Sequence, residues 1–117
     1  MKDELIELVL EGTKRATTSL IKELELLGEH TPTVVDYNIL LDGDNEPRAI
    51  MRTVDTRLMK FRDVHEEHAW IESEDDRTLK AWKDSHTRYW TIVGKKLGFK
   101  FNEDMEVILE RFELIYP

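Results

Sequence analysis

Apolar residues in the first third of the chain recur with the spacing of short helices. The first stretch predicts a helix that Asp3 caps at its N-terminus and Gly12 ends. Its apolar side is formed by Leu5, Ile6, Leu8, Val9 and Leu10. Residues 15–20 are rich in threonine and predict a first strand or turn. Residues 21–27 predict a second short helix, closed by Gly28.

The middle of the chain has the alternation typical of a β-hairpin. Residues 34–41 predict one strand, and residues 47–54 predict its partner, which continues toward Leu58. Between the two strands, the segment Asp42-Gly43-Asp44-Asn45 predicts a tight turn. This segment resembles the start of a calcium loop, but the spacing and the later glycine of such a loop are missing. We therefore interpret it as a plain turn.

The second half of the chain combines helices with a final strand. Residues 63–71 predict a helix that buries Val64, Ala69 and either Trp70 or Ile71, and residues 72–76 form an acidic break. A helix of about five turns follows, ended at Gly94 or Gly98. One face of this helix carries Leu79, Trp82, His86, Tyr89, Val93 and Leu97.

Residues 105–115 predict the closing strand. We expect Ile108, Phe112 and Leu114 on its inner face, while Val107 and Leu109 indicate partial burial of the other face. The order of helix, strands, helices and strand favours an α+β domain with a small curved sheet or barrel.

Composition limits the size of the fold and the class of its partners. The 117 residues suit a single domain over residues 1–117, and a net charge of −8 argues against binding to duplex DNA. The chain has no cysteine, which excludes disulfides, thiolate zinc sites and cysteine nucleophiles. No apolar run approaches the roughly 20 residues of a membrane span, and the N-terminus is too charged for a signal peptide. We expect a cytoplasmic protein that does not bind membranes.

Side chains with chemical potential cluster first between Gly12 and Leu20. This segment holds two cations, Lys14 and Arg15, and four hydroxyl groups just past the first helix. Such a segment suits an anion, a polar nucleobase or a hydrolytic site.

Histidines and tryptophans supply the other candidates. His65 and His68 lie three residues apart beside carboxylates, whereas the zinc-protease pattern requires four-residue spacing, so we interpret them as part of a solvated helix face. We interpret His86 as a core or interface histidine. The tryptophans suit base stacking, although helical spacing favours packing for Trp82. They are Trp70, Trp82 and Trp90.

Read together, these segments resemble the ASCH domain family. The resemblance rests on three motifs and the closing strand, and runs from about Leu5 to Tyr116. The motifs are Gly12-x-Lys14-x-x-Thr17-x-Ser19-Leu20, Phe61-x-Asp63-Val64-x-Glu66-Glu67-x-Ala69-x-x-Glu72-x-Glu74-x-Asp76 and Leu79-x-x-Trp82-x-x-x-His86. The resemblance implies a PUA-like fold, a small curved β-barrel with flanking helices, and an association with RNA. One bacterial branch deacylates N4-acetylcytidine, and other members have been assigned ribonuclease activity.

The resemblance also implies which residues act. In the amidohydrolase branch, a lysine and a threonine of the first motif act with a glutamate that follows a His-Ala pair. The matching positions are Lys14, Thr17 and Glu72, with His68-Ala69 supplying the register. We expect the substrate to be bound by Arg15, Thr18, Ser19 and Glu74. We expect no metal and no cofactor.

The chain departs from the family pattern at several positions. Glu72-Ser73-Glu74-Asp75-Asp76 replaces a Glu-Gly-Glu-Gly-Asp run, and Val35 replaces a glycine before Asp36. Ser19 stands where the amidohydrolase branch has an arginine, which weakens the transfer of substrate specificity more than the transfer of fold. Longer relatives carry an N-terminal helical extension, and we expect the cleft to be formed without it.

Amide hydrolysis needs a nucleophile, a proton carrier and a group that stabilises the oxyanion. Thr17 needs a base to act as the nucleophile. Lys14 suits that base if neutral, or the oxyanion stabiliser if charged. Glu72 suits three roles: orienting the lysine, shuttling a proton, or accepting a hydrogen bond from a cytosine-like amine. We hypothesise that these three side chains meet in one cleft.

Three function classes follow from the sequence. The first is a hydrolase acting on an N4-acylated cytidine or a related modified nucleoside. The second is a module that binds single-stranded RNA in the same cleft without turnover. The third is a metal-assisted ribonuclease with the acidic segment and His65 or His68 as ligands.

Overall fold

The computed structural model describes the backbone of residues 2–12, 14–34, 37–72 and 77–116, and their side chains from Leu5 onward. Four strands form one antiparallel sheet in the order β1-β4-β3-β2. They are β1 (Ala16–Leu20), β2 (Tyr37–Leu41), β3 (Pro47–Lys60) and β4 (Glu106–Tyr116). The sheet curls into a half-barrel, so the architecture is the α+β, PUA-like fold expected from the sequence.

The long strand β3 makes the curl possible, because it pairs with β2 at its beginning and with β4 along most of its length. The β3–β4 register shifts between Ile50 and Met51 and again between Thr53 and Asp55. Such irregularities bend a strand and increase its twist. The hairpin turn before β3 was correctly predicted. The Asp42 carboxylate accepts hydrogen bonds from the backbone N–H groups of Asp44 and Glu46, at 2.8 and 3.0 Å.

Four helices flank the sheet within the described residues. They are α1 (Lys2–Leu10), α2 (Ile21–Leu27), α3 (Glu66–Glu72) and α4 (Leu79–Leu97), with a 3-10 turn at Phe61–Asp63. Two end at left-handed glycines, α2 at Gly28 as predicted and α4 at Gly98, the second of the two glycines that the sequence offered for its end. Asp3 lies inside α1 and not ahead of it, so its prediction as the N-terminal cap is wrong. Within the described residues, none of the helices combines the length and the apolar character that a membrane crossing requires.

The main core lies between the sheet and α3 and α4. Its centre is an aromatic group in which the Phe61 ring stacks on Trp82 and meets Trp90 edge-on, with ring centroids 5.3 and 5.8 Å apart. A smaller cluster of Val9, Met51 and Phe112 joins α1 to the sheet. Such close-packed rings fix the orientation of α4 relative to the 3-10 turn that follows β3.

Several burial predictions need correction. Of the alternatives Trp70 and Ile71, Trp70 is exposed, with Arg77 stacked over its ring at 3.7 Å, and Ile71 is half-buried. Val64 and Ala69 are buried as predicted. Val107 and Leu109 are as deeply buried as Ile108, because α3 and α4 cover one face of β4 and α1 packs near the other.

The acidic break predicted at residues 72–76 does not begin at residue 72. Glu72 is the last residue of α3, and it is one of the most deeply buried side chains of the described chain. Residues 73–76 lie outside the described residues.

Candidate functional site

Glu72 is the centre of a buried polar cluster at the C-terminal end of α3. Only 1% of its surface is exposed. A buried carboxylate is costly unless hydrogen bonds replace the water it loses. Four side chains from β1, α3 and α4 contact its two oxygens, so the cluster ties these three elements together.

One carboxylate oxygen faces β1. The Thr18 hydroxyl donates a hydrogen bond to Glu72 Oε1 at 2.7 Å, and His68 Nε2 lies 3.4 Å from the same oxygen. His68 Nε2 also lies 2.7 Å from the Thr18 hydroxyl. His68 and Glu72 are four residues apart on α3, the spacing that places two side chains on one helix face. Thr18, His68 and Glu72 therefore form one connected group.

The other carboxylate oxygen faces α4. The Trp82 indole N–H donates to Glu72 Oε2 at 3.1 Å, and His86 Nε2 lies 3.1 Å from the same oxygen. The imidazole of His86 stacks on the Trp82 ring with centroids 4.3 Å apart. The aromatic stripe of α4 thus presents an apolar side to Phe61 and a polar edge to Glu72.

The pKa of Glu72 reflects this environment. Burial raises the pKa, but hydrogen bonds from His68 and His86, together with the charges of His86 and Lys14, outweigh burial and hold it well below the usual range of a glutamate. Glu72 is therefore a carboxylate at neutral pH.

Lys14 crosses from the loop before β1 into the same region. Its ammonium donates to the backbone carbonyls of Ala16, at 2.9 Å, and Glu72, at 3.3 Å. The side chain is buried, so its positive charge is held beside the first residues of β1. An ammonium anchored on carbonyl oxygens is placed to attract negative charge that develops nearby.

An open cavity of about 920 Å³ runs along β1, α2 and α4. All three residues implied to be catalytic line it, namely Lys14, Thr17 and Glu72. Successive side chains of a strand point to opposite faces. Thr17 therefore belongs to a different face of β1 from Thr18, and it is Thr18 that contacts Glu72.

Thr17 has a glutamate neighbour on the adjacent strand β4. It lies directly opposite Glu110 in the β1–β4 register. Side chains of directly opposite residues lie on the same face, with Cβ atoms about 4.5–5.5 Å apart. Glu110 is buried, and the Thr53 hydroxyl donates a hydrogen bond to it. Glu110 thus lies beside Thr17 in the register, on the face of β1 opposite to the one that Glu72 contacts, while its carboxylate accepts the hydrogen bond from Thr53 on β3.

A search among curated proteins finds no match to the chain. The sequence model of the ASCH domain matches residues 1–116. The chain belongs to the ASCH domain family. As a family, ASCH domains are generally associated with RNA.

Two solved structures resemble this ASCH domain closely. The ASCH domain from Lactobacillus crispatus JV V101 is 30% identical in sequence with a TM-score of 0.91, and the match covers 98% of this chain and 72% of that chain. Protein EF3133 from Enterococcus faecalis V583 is 31% identical with a TM-score of 0.87, and the match covers 97% of this chain and 68% of that chain.

The residues expected to bind substrate in this ASCH domain lie in different places. Thr18 and Ser19 line the cavity with Thr17. Arg15 does not line it, because its exposed guanidinium turns back to the carbonyl of Gly12 at 2.9 Å. Glu74 lies outside the described residues, as do Val35 and Asp36.

Two cluster residues, His68 and His86, have contacts that the sequence did not indicate. His68 is buried in the polar cluster and not on a solvated face, whereas its neighbour His65 is exposed as predicted. His86 is bonded to Glu72 as well as packed on Trp82. Two spacings in the sequence were the available signals. His68 and Glu72 are four residues apart, as are Trp82 and His86, and this spacing places each pair on one helix face.

Glu110 was not singled out from the sequence. It is a charged residue within a run of apolar residues on β4, with Leu109 before it and Phe112 soon after. A charge at the centre of a buried strand is rare, because it must be paired or hydrogen-bonded there. A glutamate at the centre of an apolar strand was therefore the sequence signal for a buried, hydrogen-bonded carboxylate.

Proposed function

We propose that this ASCH domain hydrolyses the amide bond of an N4-acylated cytidine or a closely related acylated nucleoside. The observation that carries the proposal is that Lys14, Thr17 and Glu72 line one open cavity, with the Lys14 ammonium hydrogen-bonded to the carbonyl of Ala16, the neighbour of Thr17. A hydroxyl, a cation and an anion around one cavity are the groups that acyl transfer requires.

The cavity suits a nucleoside-sized ligand. Aromatic side chains of α4 form part of its wall, including the stacked pair Trp82 and His86 and the exposed Tyr89. Flat aromatic walls favour nucleobases, because every base has a π-face. The net charge of −8 disfavours a long polyanion and does not oppose one neutral nucleoside.

In the proposed reaction, the Thr17 hydroxyl adds to the acyl carbon, and its proton passes to the carboxylate of Glu110 on the adjacent strand β4. The oxyanion that forms is stabilised by the Lys14 ammonium. When the C–N bond breaks, the proton passes to the departing amine, which leaves as cytidine. Water then hydrolyses the threonine ester, releasing the carboxylic acid and restoring the Thr17 hydroxyl.

Glu72 has a positioning role in this proposal. Four side chains already contact its two oxygens, and its pKa lies well below the usual range, so it is poorly suited to carry a proton at neutral pH. Its backbone carbonyl accepts a hydrogen bond from Lys14, and its charge attracts the ammonium. We assign Glu72 to the placement of Lys14 and of the α4 wall.

The test is to incubate the purified protein with N4-acetylcytidine and larger N4-acylcytidines and to follow the release of cytidine. Lys14→Ala and Glu72→Ala should each abolish turnover. Lys80→Ala is the matched control, because it removes a lysine whose side chain is exposed on α4 and lies outside the cavity. Turnover that persists in Lys14→Ala would contradict the proposal.

The same protein sample tests the two other classes. Binding of single-stranded RNA that weakens with salt, without turnover of any acylcytidine, would indicate a binding module. RNA cleavage that stops with a chelator would indicate a metal-assisted ribonuclease. Among the residues that the structure describes, no group of three or more histidine, aspartate or glutamate side chains is arranged to hold a metal ion.

A further inference from the structure

A second cavity of about 500 Å³ lies between α1 and the sheet, on the side toward β2. Its wall is mainly apolar. The apolar lining includes Ile6, Val9, Leu40, Met51 and Phe112. Ile39 and Leu41 also line it and are exposed, so part of this apolar surface is accessible to solvent. We call this cavity the apolar chamber, and the larger one described above the polar cleft.

The apolar chamber and the polar cleft meet at the candidate catalytic residues. Three residues line both of them: Leu5, Lys14 and Thr17. Glu110 lines the apolar chamber beside Thr17. A ligand with its reacting atom at Thr17 therefore has a polar, aromatic space on one side and an apolar space on the other.

We propose that the apolar chamber binds the acyl group of the substrate, and that the natural substrate carries an aliphatic acyl group larger than acetyl. This inference rests on the proposed function, because it takes Thr17 and Lys14 as the point where the amide carbon lies. The nucleobase then occupies the polar cleft against the aromatic residues of α4. The acyl chain passes Leu5 and ends among the apolar side chains of α1, β2 and β3.

Size and composition support an aliphatic occupant. One water molecule takes about 30 Å³ in the liquid, so a chamber of about 500 Å³ has far more room than the methyl group of an acetyl needs. Transfer of a chain into the chamber removes apolar surface from water, and each buried methylene favours binding roughly fourfold. Extending the chain from acetyl to butyryl adds two methylenes, so kcat/KM should rise roughly 15-fold, the product of two fourfold gains.

The test compares N4-acetyl-, N4-propionyl- and N4-butyrylcytidine with the wild type and three variants. Leu40→Trp fills the chamber from a half-buried position on β2. Ile39→Asp places a charge at its exposed rim without removing a core residue. Ile115→Asp is the matched control, because Ile115 is similarly exposed on β4 and lines neither cavity.

We expect a rising kcat/KM with chain length in the wild type and in Ile115→Asp. In Leu40→Trp and Ile39→Asp the gain from acetyl to butyryl should fall to less than twofold. If Leu40→Trp does not fold, Ile39→Asp still decides, because its side chain is already exposed. Equal rates for all three substrates in the wild type would overturn the inference.

Calorimetric binding of the same three compounds separates failure of the chamber from failure of the hydrolase. Tighter binding of longer chains, lost in Ile39→Asp, would support the acyl-binding chamber even without turnover, while the hydrolase proposal would fall. Turnover without any dependence on chain length would keep the hydrolase and overturn the chamber. An Ile39→Asp change that alters only the sedimentation behaviour would also overturn it, and would indicate that a second copy covers this surface.

Discussion

The indole N–H of Trp82 donates a hydrogen bond of 3.1 Å to the carboxylate of Glu72. The two residues lie on different helices, Glu72 at the end of α3 and Trp82 in the second turn of α4. The same indole stacks on Phe61 in the core. A core aromatic residue therefore supports the buried charge of the candidate site, and the stability of the domain is coupled to the geometry of its polar cleft.

The stability of the domain should depend on the charge of Glu72. Glu72→Gln should lower the free energy of unfolding by about 1–3 kcal/mol at neutral pH, because the histidines and the indole lose a charged acceptor. The folded state lowers the pKa of Glu72, so its carboxylate contributes stability above the pKa of an unfolded glutamate, about 4.3. This contribution is lost as the pH falls through the folded pKa. The difference between wild type and variant should therefore shrink below about pH 4.

Urea unfolding across a pH series measures this dependence. Glu25→Gln is the matched control, because it removes the same charge from an exposed position on α2. A loss of stability in Glu72→Gln that is no larger than in Glu25→Gln would contradict the prediction.

The two neighbouring threonines of β1 should respond differently to replacement. Thr18→Val removes a donor from Glu72 and should cost about 1–3 kcal/mol of stability, because the partner is buried. Thr17→Val should leave stability nearly unchanged and abolish release of cytidine from N4-acylcytidine. Thermal unfolding and steady-state kinetics on both variants separate the two effects. Loss of turnover in Thr18→Val with full activity in Thr17→Val would move the nucleophile to Thr18.

Glu110 should act on the chemical step and not on substrate binding. Glu110→Gln keeps an oxygen that accepts the Thr53 hydrogen bond, so the fold should persist. The variant loses the proton acceptor, and kcat should fall by about 10²–10⁴-fold with little change in KM. Glu106→Gln is the control, because Glu106 is exposed on the same strand. An unchanged kcat in Glu110→Gln would remove Glu110 from the mechanism.

The sequence predicted the order and type of the elements well, because their signals are local. Gly28 ends α2 where the pattern placed it, and Gly98 ends α4 at one of the two glycines that the pattern offered. The turn at Asp42 follows from hydrogen bonds to its own side chain. Burial on the sheet was harder to predict. Val107 and Glu110 are buried by elements that are far away in the chain. The local hydrophobic pattern of a strand does not indicate which helix will cover each of its faces.

The candidate site could be predicted only in part from the sequence, because it too depends on contacts between distant elements. Lys14, Thr17 and Glu72 were singled out through a family resemblance, and they line one cavity. His68 was interpreted as solvated because a short helix with several charges gives no clear apolar face. Its burial depends on contact with Thr18, 50 residues earlier in the chain. Contacts of this kind are set by the tertiary fold and not by spacing.

The two glycines near the end of α4 should differ in their tolerance of alanine. Gly94 lies inside the helix, and a Cβ there would come within 2.4 Å of the Phe99 carbonyl oxygen. That oxygen belongs to backbone that is fixed, because the N–H of Phe99 donates to the Gly94 carbonyl at 2.9 Å. Gly94→Ala should therefore cost about 1–3 kcal/mol or unfold the domain. A Cβ at Gly98 meets no atom within 4 Å, and only its positive φ of +87° opposes alanine.

Gly98→Ala should accordingly cost about 1–2 kcal/mol, the strain of a left-handed residue with a side chain. Urea unfolding of both variants, with the midpoint shifted and the slope unchanged, gives the two values on one scale. Because Phe99 packs against the aromatic core, Gly94→Ala should also alter the near-ultraviolet signal of the tryptophans, whereas Gly98→Ala should not. A Gly94→Ala variant as stable as Gly98→Ala would mean that the turn after α4 shifts to accommodate the methyl group.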